Sequence, residues 1–485
     1  MGLIDTSVLS GYFSPSSLPE LKSLLNGSEI LVPESKGYAE SIKRWSDAAE
    51  KKAGAVVQVT TPEDIAAVVL FCQKHSVSFT VSGGKHSTNG SSSSTGGVVI
   101  DLVKMNRVTV DPEAKIATVQ GGAVWADVDA ALAEHGLAAV GGTVNHTGVG
   151  GLTLGGGYGW LSGRHGLTID NLLSCTMVLA DGRTVKASET EYPDLFWGIR
   201  GAGHCLGVAV EFVFRAHEQV NKIWAGQLIF PEPMLVEVIN FANQTIEKTT
   251  GDQGIIVTIT CPPPLKGALA LICTVFFNGP ESAAKDFFGP LLALGPLINT
   301  TAEVPYKIVN SLMNVPLAFG GRKLVKGGSF LTPISPDFVR DTCITSLKEL
   351  HTVHPNTTQT ALVYEFYPSK IISAVPTDAM AFVNRSGHHQ SVVIGPMWGS
   401  NEALDSVCRK WAQDLAGKFE RELSSQRMKR GIDKEEYITE YGNYDGMPGK
   451  ANTRRIFGKN FDKLVGVKKE YDPKNVFSKA YDFSI

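Results

Sequence analysis

Residues 141–159 read Gly-Gly-Thr-Val-Asn-His-Thr-Gly-Val-Gly-Gly-Leu-Thr-Leu-Gly-Gly-Gly-Tyr-Gly. Nine of these nineteen positions lack a side chain, and a hydrophobic core has no use for that. Glycine is needed where φ is positive or where a backbone must approach another body closely. A flexible linker is the other reading. Val149, Leu152, Leu154, Tyr158 and Trp160 are interleaved with the glycines, so the stretch is expected to pack rather than to float.

Strands and helices alternate upstream of it. Ala55-Val-Val-Gln-Val59 reads as a strand, and Thr60-Thr61-Pro62-Glu63-Asp64 supplies an N-cap, a first-turn proline and acids. A helix over 63–75 follows. Ser78-Phe-Thr-Val-Ser82 is a second strand, ending in the loop Gly83-Gly84-Lys85-His86-Ser87. Short strands at 98–102 and 117–120 and a helix over 125–135 complete a mixed domain. A glycine loop after a strand can turn backbone N–H groups toward a pyrophosphate, with the histidine beside the nucleotide. Read alone, it is equally a turn followed by a surface histidine.

Beyond about residue 216 the texture changes. Ile255–Thr260, Ala268–Phe277 and Gln390–Gly395 are β-rich runs, and 402–422 is helical in pattern. They predict an antiparallel sheet covered by helices. A chain of 485 residues with 43% hydrophobic content supports two or more domains. A net charge of -3 gives no sign of a basic surface for nucleic acid or anionic membrane. No apolar run reaches the roughly 20 residues of a membrane span. The start, Met1-Gly-Leu-Ile-Asp-Thr6, has no secretory pattern, so an intracellular, cytoplasmic protein is expected. Seven scattered cysteines without a C-x-x-C read as buried thiols.

Several tempting motifs carry little. Gly201-x-Gly203-x-x-x-Gly207 follows a helix and opens a strand, the reverse of a dinucleotide fingerprint. His351, His354, His388 and His389 have no acidic or cysteine partner at ligand spacing, so no metal is expected. No Gly-x-Ser-x-Gly or Walker pattern is present.

Six segments, taken in order, resemble the FAD-linked oxidases of the vanillyl-alcohol oxidase family, and more closely the berberine-bridge-enzyme-like branch. They are Val81–Ser87, Gly97–Leu102, Gly148–Gly159 continuing into Arg164–Asn171, Asp194–Gly203, Tyr441–Tyr444, and Phe457–Leu464 with Tyr471–Phe477. The resemblance implies an α+β chain: a PCMH-type FAD-binding fold of two α/β subdomains plus a substrate domain of antiparallel sheet covered by helices. FAD-binding residues would lie in 1–215 (core about 52–218), the substrate domain in 216–430, and 431–485 would return to the FAD domain.

His86 aligns with the histidine that bonds the flavin's 8-methyl carbon. Ser82, Gly83, Gly84, Lys85 and Ser87 would hold the pyrophosphate. Thr147, Gly148, Gly150, Gly151 and Leu152 would line the flavin, with Tyr158, Val210 and Asn443 further contacts. Tyr441 is the catalytic candidate over the flavin, with a core aromatic as its bland alternative. Tyr364 and Phe366 are candidate pocket residues, with a strand core equally open.

The departures are informative. A second, cysteinyl link in many relatives comes from four residues before Gly148, where this chain has Val144, so a single link is expected. Lys85 replaces a glycine, adding a cation that could face the pyrophosphate. The family's carboxylate base aligns near Ala374, where no acid stands, and His204 replaces a common asparagine. Gly142 matches a position where a small residue leaves a path for O2. The expected activity is oxidation of a small organic molecule, an alcohol or secondary metabolite, by hydride transfer to FAD with O2 as acceptor. The partners are that substrate and O2, and the chain is a monomer or weak homo-oligomer. The alternatives are a redox-neutral cyclase using FAD as scaffold, a silent flavin-binding protein, and an extracellular-type carbohydrate oxidase.

Overall fold

The runs above assemble into three main sheets. The computed structural model describes residues 9–220, 222–265, 267–385, 389–432, 440–445 and 450–483. The N-terminal residues read for a signal, His388 and the last two residues lie outside these ranges.

Glu29–Leu31, Ala55–Gln58, Val98–Asp101 and Phe79–Ser82 lie side by side in that order. The last three run parallel, as a helical crossover requires. That crossover is the helix Pro62–Lys74, started by Pro62 and capped by Thr61, whose side chain accepts from Asp64 N–H. Its Ile65, Val68, Val69 and Cys72 follow helical spacing and share one core with Val57, Phe79 and Ile100.

A second sheet orders Val108–Asp111, Ile116–Gln120, Val208–Arg215, Leu172–Val178 and Thr184–Ser188, antiparallel throughout. Its core takes in Trp125, Phe196 and Phe212, together with Phe457, Phe461, Leu464 and Phe483 from the end of the chain.

The third sheet has eight strands. Its path runs Ile298–Asn299, Ile223–Pro231, Ala270–Phe277, Gln253–Thr260, Ala361–Phe366, His389–Gly395 and Lys326–Leu331, with Ala302–Val304 also on Ile223–Pro231. All these pairings are antiparallel. Helices Leu235–Lys248, Glu281–Leu292, Thr345–Val353 and Asp405–Arg430 cover one face, sharing a core with Leu362, Tyr364, Phe366, Val392 and Ile394. This is the α+β arrangement expected from the sequence. The helix expected at 402–422 begins at Asp405, after one tight turn, and continues to Arg430.

All seven cysteines are buried, unpaired thiols. No helix among the described residues is long and apolar enough to cross a membrane.

One buried ion pair ties the end of the chain down. Lys468 and Asp472 are both 0% exposed. The Lys468 ammonium donates to Asp472 Oδ2 (2.6 Å), Cys205 O (2.7 Å) and Phe477 O (2.9 Å). Removing the cation alone strands a carboxylate in the core. Lys468→Met is expected to lower the unfolding free energy by about 3–5 kcal/mol, measured by urea denaturation. A loss below about 1 kcal/mol would show that the pair does not hold this segment.

Candidate active site

A cavity of about 380 Å³ opens between the first two sheets and the face of the third that turns away from its four covering helices. Of the fifteen cofactor-binding and catalytic candidates named from the sequence, all but Ser82 and Val210 border it. Ser82 ends its strand opposite Asp101, fully buried. Val210 packs into a core, and its carbonyl accepts from Gly121 N–H (2.8 Å).

Two glycine loops touch at the wall of this cavity. A Cβ on Gly84 would lie 2.1 Å from Gly148 N, and one on Gly148 would lie 2.4 Å from Gly84 N. Gly148 caps the short helix Val149–Leu154, so the glycine-rich segment is packed structure and not a linker. At Gly151 a Cβ would meet nothing within 4 Å.

Lys85 adopts φ 63°, the left-handed region that favours glycine. Its ammonium reaches Asp101 Oδ2 (3.4 Å) and Ser41 O (3.2 Å). The cation expected beside a pyrophosphate is thus paired with the fully buried Asp101, while Lys85 still borders the cavity. Burial pushes the Asp101 carboxyl up, and Lys85 pulls it back.

His86 projects from the same loop, half-buried. Trp45 stacks on it at 5.2 Å, and its Nε2 lies 2.8 Å from His146 Nδ1. Burial, then His146, then the Lys323 ammonium lower its pKa to about 3, so the imidazole is neutral at physiological pH.

Tyr441 is buried beside Leu167, Met380 and Phe382 and meets Tyr158 edge-on at 5.0 Å. Its hydroxyl accepts from Gly157 N–H (2.9 Å) and Asn443 Nδ2 (2.8 Å). Asn443 Nδ2 also donates to Leu152 O (2.9 Å). Both residues thereby fasten the C-terminal segment to the glycine-rich one. His204 Nε2 lies 3.0 Å from Gly151 O, at the cavity wall.

The third sheet supplies a carboxylate that sequence reasoning missed. Tyr364 and Phe366 lie in the helix-covered core, so the strand-core alternative holds for them. Alternation along that strand turns Val363 and Glu365 to the cavity instead. Glu365 Oε1 accepts from the Tyr444 hydroxyl (2.9 Å), and its Oε2 is buried without a partner. Burial pushes Glu365 up to about 7 against the lowering pull of the Tyr444 and Tyr367 hydroxyls. Ala374, where an acid was sought, is exposed at the end of the helix Lys370–Ala374. The available signal was a lone acid inside the apolar run Ala361–Phe366.

Two of the histidines considered for a metal have local partners: His351 lies 3.7 Å from Cys261 Sγ, and His389 lies 2.6 Å from Ser329 Oγ. Among the described residues no three His, Cys, Asp or Glu side chains gather as a metal site.

Residues 53–188 match the FAD binding domain family, and residues 440–480 match the berberine and berberine like family. The chain is 34% identical to the FAD-linked oxidoreductase pgmH of Aspergillus terreus, over 96% of this chain and 95% of that one. Its fold is similar to that of 6-hydroxy-D-nicotine oxidase from Arthrobacter nicotinovorans, with TM-score 0.80 and 22% identity over 94% of this chain and 97% of that one. It is also similar to a berberine bridge enzyme variant described as a reticuline dehydrogenase, with TM-score 0.78 and 20% identity over 95% of this chain and 97% of that one. The cavity fits an FAD. Its wall carries two loops with no room for side chains, a neutral imidazole and an orphaned carboxylate oxygen.

The loop contact leads to a test. In Gly148→Ala the new Cβ meets backbone, which cannot rotate away. The variant is expected to purify with little or no bound flavin and a lowered melting temperature. Flavin content equal to wild type, read from absorbance, would show that the contact does not shape the site.

Proposed function

This chain belongs to the FAD-linked oxidoreductases, and from that premise we propose an oxidase that carries FAD covalently on His86 and oxidises a small alcohol or amine. The observation that carries the reading is one cavity walled by a neutral histidine on a glycine loop and by a dry carboxylate with a free oxygen.

When bound, FAD supplies the acceptor for a hydride and passes the electron pair to O2. The chain's own residues supply the rest. Gly83–Ser87 and Thr147–Leu152 would cradle the cofactor with backbone groups. His86 would offer the bound flavin's 8-methyl carbon an unprotonated nitrogen. Val144 stands where a thiolate would form a second link, so His86 is the single anchor.

Glu365 is placed to take the substrate's hydroxyl or amine proton, through its unpartnered Oε2 or by way of Tyr444. The Tyr441 hydroxyl already receives two N–H groups, which suits it to orienting the substrate while Glu365 and Tyr444 move the proton. A carboxylate in the site also removes the motive for a redox-neutral cyclase, which rested on a missing base. Gly142 borders the cavity. A glycine-to-alanine change makes berberine bridge enzyme a dehydrogenase by its description, so a glycine here supports O2 as the acceptor.

Two measurements test this reading. On acid precipitation the yellow colour is expected in the pellet, and in the supernatant for His86→Ala. A colourless wild-type pellet would sink the covalent link. A base must be deprotonated to act, so the rate is expected to climb as pH rises through about 7, the range to which burial lifts Glu365. Glu365→Gln is expected to lower kcat by about 10²–10⁴-fold and to erase that limb. An unchanged rate and profile would place the base elsewhere.

A further inference from the structure

The glycine-rich segment delivers a second imidazole to the first. His86 Nε2 and His146 Nδ1 are 2.8 Å apart, and the rings stack with centroids 4.9 Å apart and planes 25° apart. The backbone is pinned on both sides of His146. Ala126 N–H donates to Asn145 O (2.7 Å), Trp125 N–H to Thr147 O (3.0 Å), and Asn145 N–H to Asn310 O (2.8 Å). Lys323, with its ammonium 4.2 Å from the Trp45 ring, adds positive charge near both histidines. Two neutral imidazoles at this distance share one hydrogen, one ring donating and the other accepting. His86 Nε2 is therefore committed to His146, and Nδ1 is the nitrogen left for a cofactor. His146 Nε2 is buried without a partner, an arrangement that asks for a reason.

We propose that His146 is the positioning residue and proton acceptor that makes His86 a nucleophile toward the flavin. The inference rests on the reading that His86 carries FAD covalently. His86 donates its Nε2–H to His146 Nδ1, so His86 Nδ1 carries the lone pair. That pair forms the bond to the flavin's 8-methyl carbon, in exchange for one methyl C–H bond. The Nε2 proton passes to His146, which gives up the proton on its own Nε2. The methyl hydrogen leaves as a proton. The electron pair of the broken C–H bond goes to dioxygen, which takes both protons and leaves as hydrogen peroxide. Afterwards His146 Nδ1–H donates back to His86 Nε2. The same contact persists with donor and acceptor exchanged.

The test uses full-length wild type, His146→Ala and His146→Gln, each incubated aerobically with FAD. Bound flavin is measured before acid precipitation, and pellet-retained flavin after it. All three are expected to bind FAD in the native state. Attachment is expected to slow by at least about 100-fold in both variants. Added imidazole, which fits the space vacated in His146→Ala, restores attachment there and not in His146→Gln. Wild-type attachment in either variant overturns the proposal. So does loss of native FAD binding, which assigns His146 to binding, and so does slow attachment that imidazole fails to restore, which assigns it to packing. Wild type that releases all its flavin overturns the underlying reading of His86 instead, so the two failures are told apart.

Discussion

The contact between Gly84 and Gly148 is the constraint on which the site depends. Side chains in a packed core can exchange rotamers, but two backbones in contact cannot yield in that way. With no room for a Cβ on either residue, the loop that follows the first sheet and the cap of the helix Val149–Leu154 keep one spacing. His86 lies two residues beyond Gly84 and His146 two residues before Gly148. The 2.8 Å approach of the two rings is thus set by main-chain geometry more than by the rings themselves. Lys85 reinforces the arrangement by spanning from the loop to Asp101 on the neighbouring strand.

The opposite wall works by different physics. The strand Ala361–Phe366 must satisfy the helix-covered core with Leu362, Tyr364 and Phe366, and its pleat then delivers Glu365 to the cavity without choice. Leaving a carboxylate there is costly. Desolvation raises its pKa, and the Tyr444 and Tyr367 hydroxyls offset only part of the effect. Costs of this kind concentrate where a group is needed near its ionisation point at working pH.

Legibility in the sequence follows the range of the interaction. The Thr61 cap with Pro62, the β-rich runs of the third sheet and the density of glycine in 141–159 are local patterns, and the structure contains each as read. Ordered motifs exposed the loop at His86 in the same way. Glu365 escaped because its meaning depends on which side of one strand faces helices, a fact no local window contains. The partner of the Lys85 cation was invisible, since Asp101 becomes its neighbour only by strand pairing. Trp45 stands far from every motif, and His146 was passed over as one more residue in a glycine-rich run.

Residues 440–445 make the two walls a single object. Glu440 pairs with Lys326 of the third sheet, and Tyr444 holds Glu365 of the same sheet. Between them Tyr441 and Asn443 bind Gly157 and Leu152 of the glycine-rich segment. Asp445 O accepts from Asn89, in the loop that follows His86 (3.2 Å). Six consecutive residues therefore touch the cofactor loop, the glycine-rich segment and the carboxylate-bearing sheet. Chemistry between groups on different walls is sensitive to misplacement on the order of 1 Å. A strap bonded to every wall holds that error down more directly than any one interface could. Beyond the strap, the buried Lys468–Asp472 pair anchors the helix Phe461–Tyr471, and the Lys468 ammonium also holds the carbonyl of Phe477, a residue at the cavity wall.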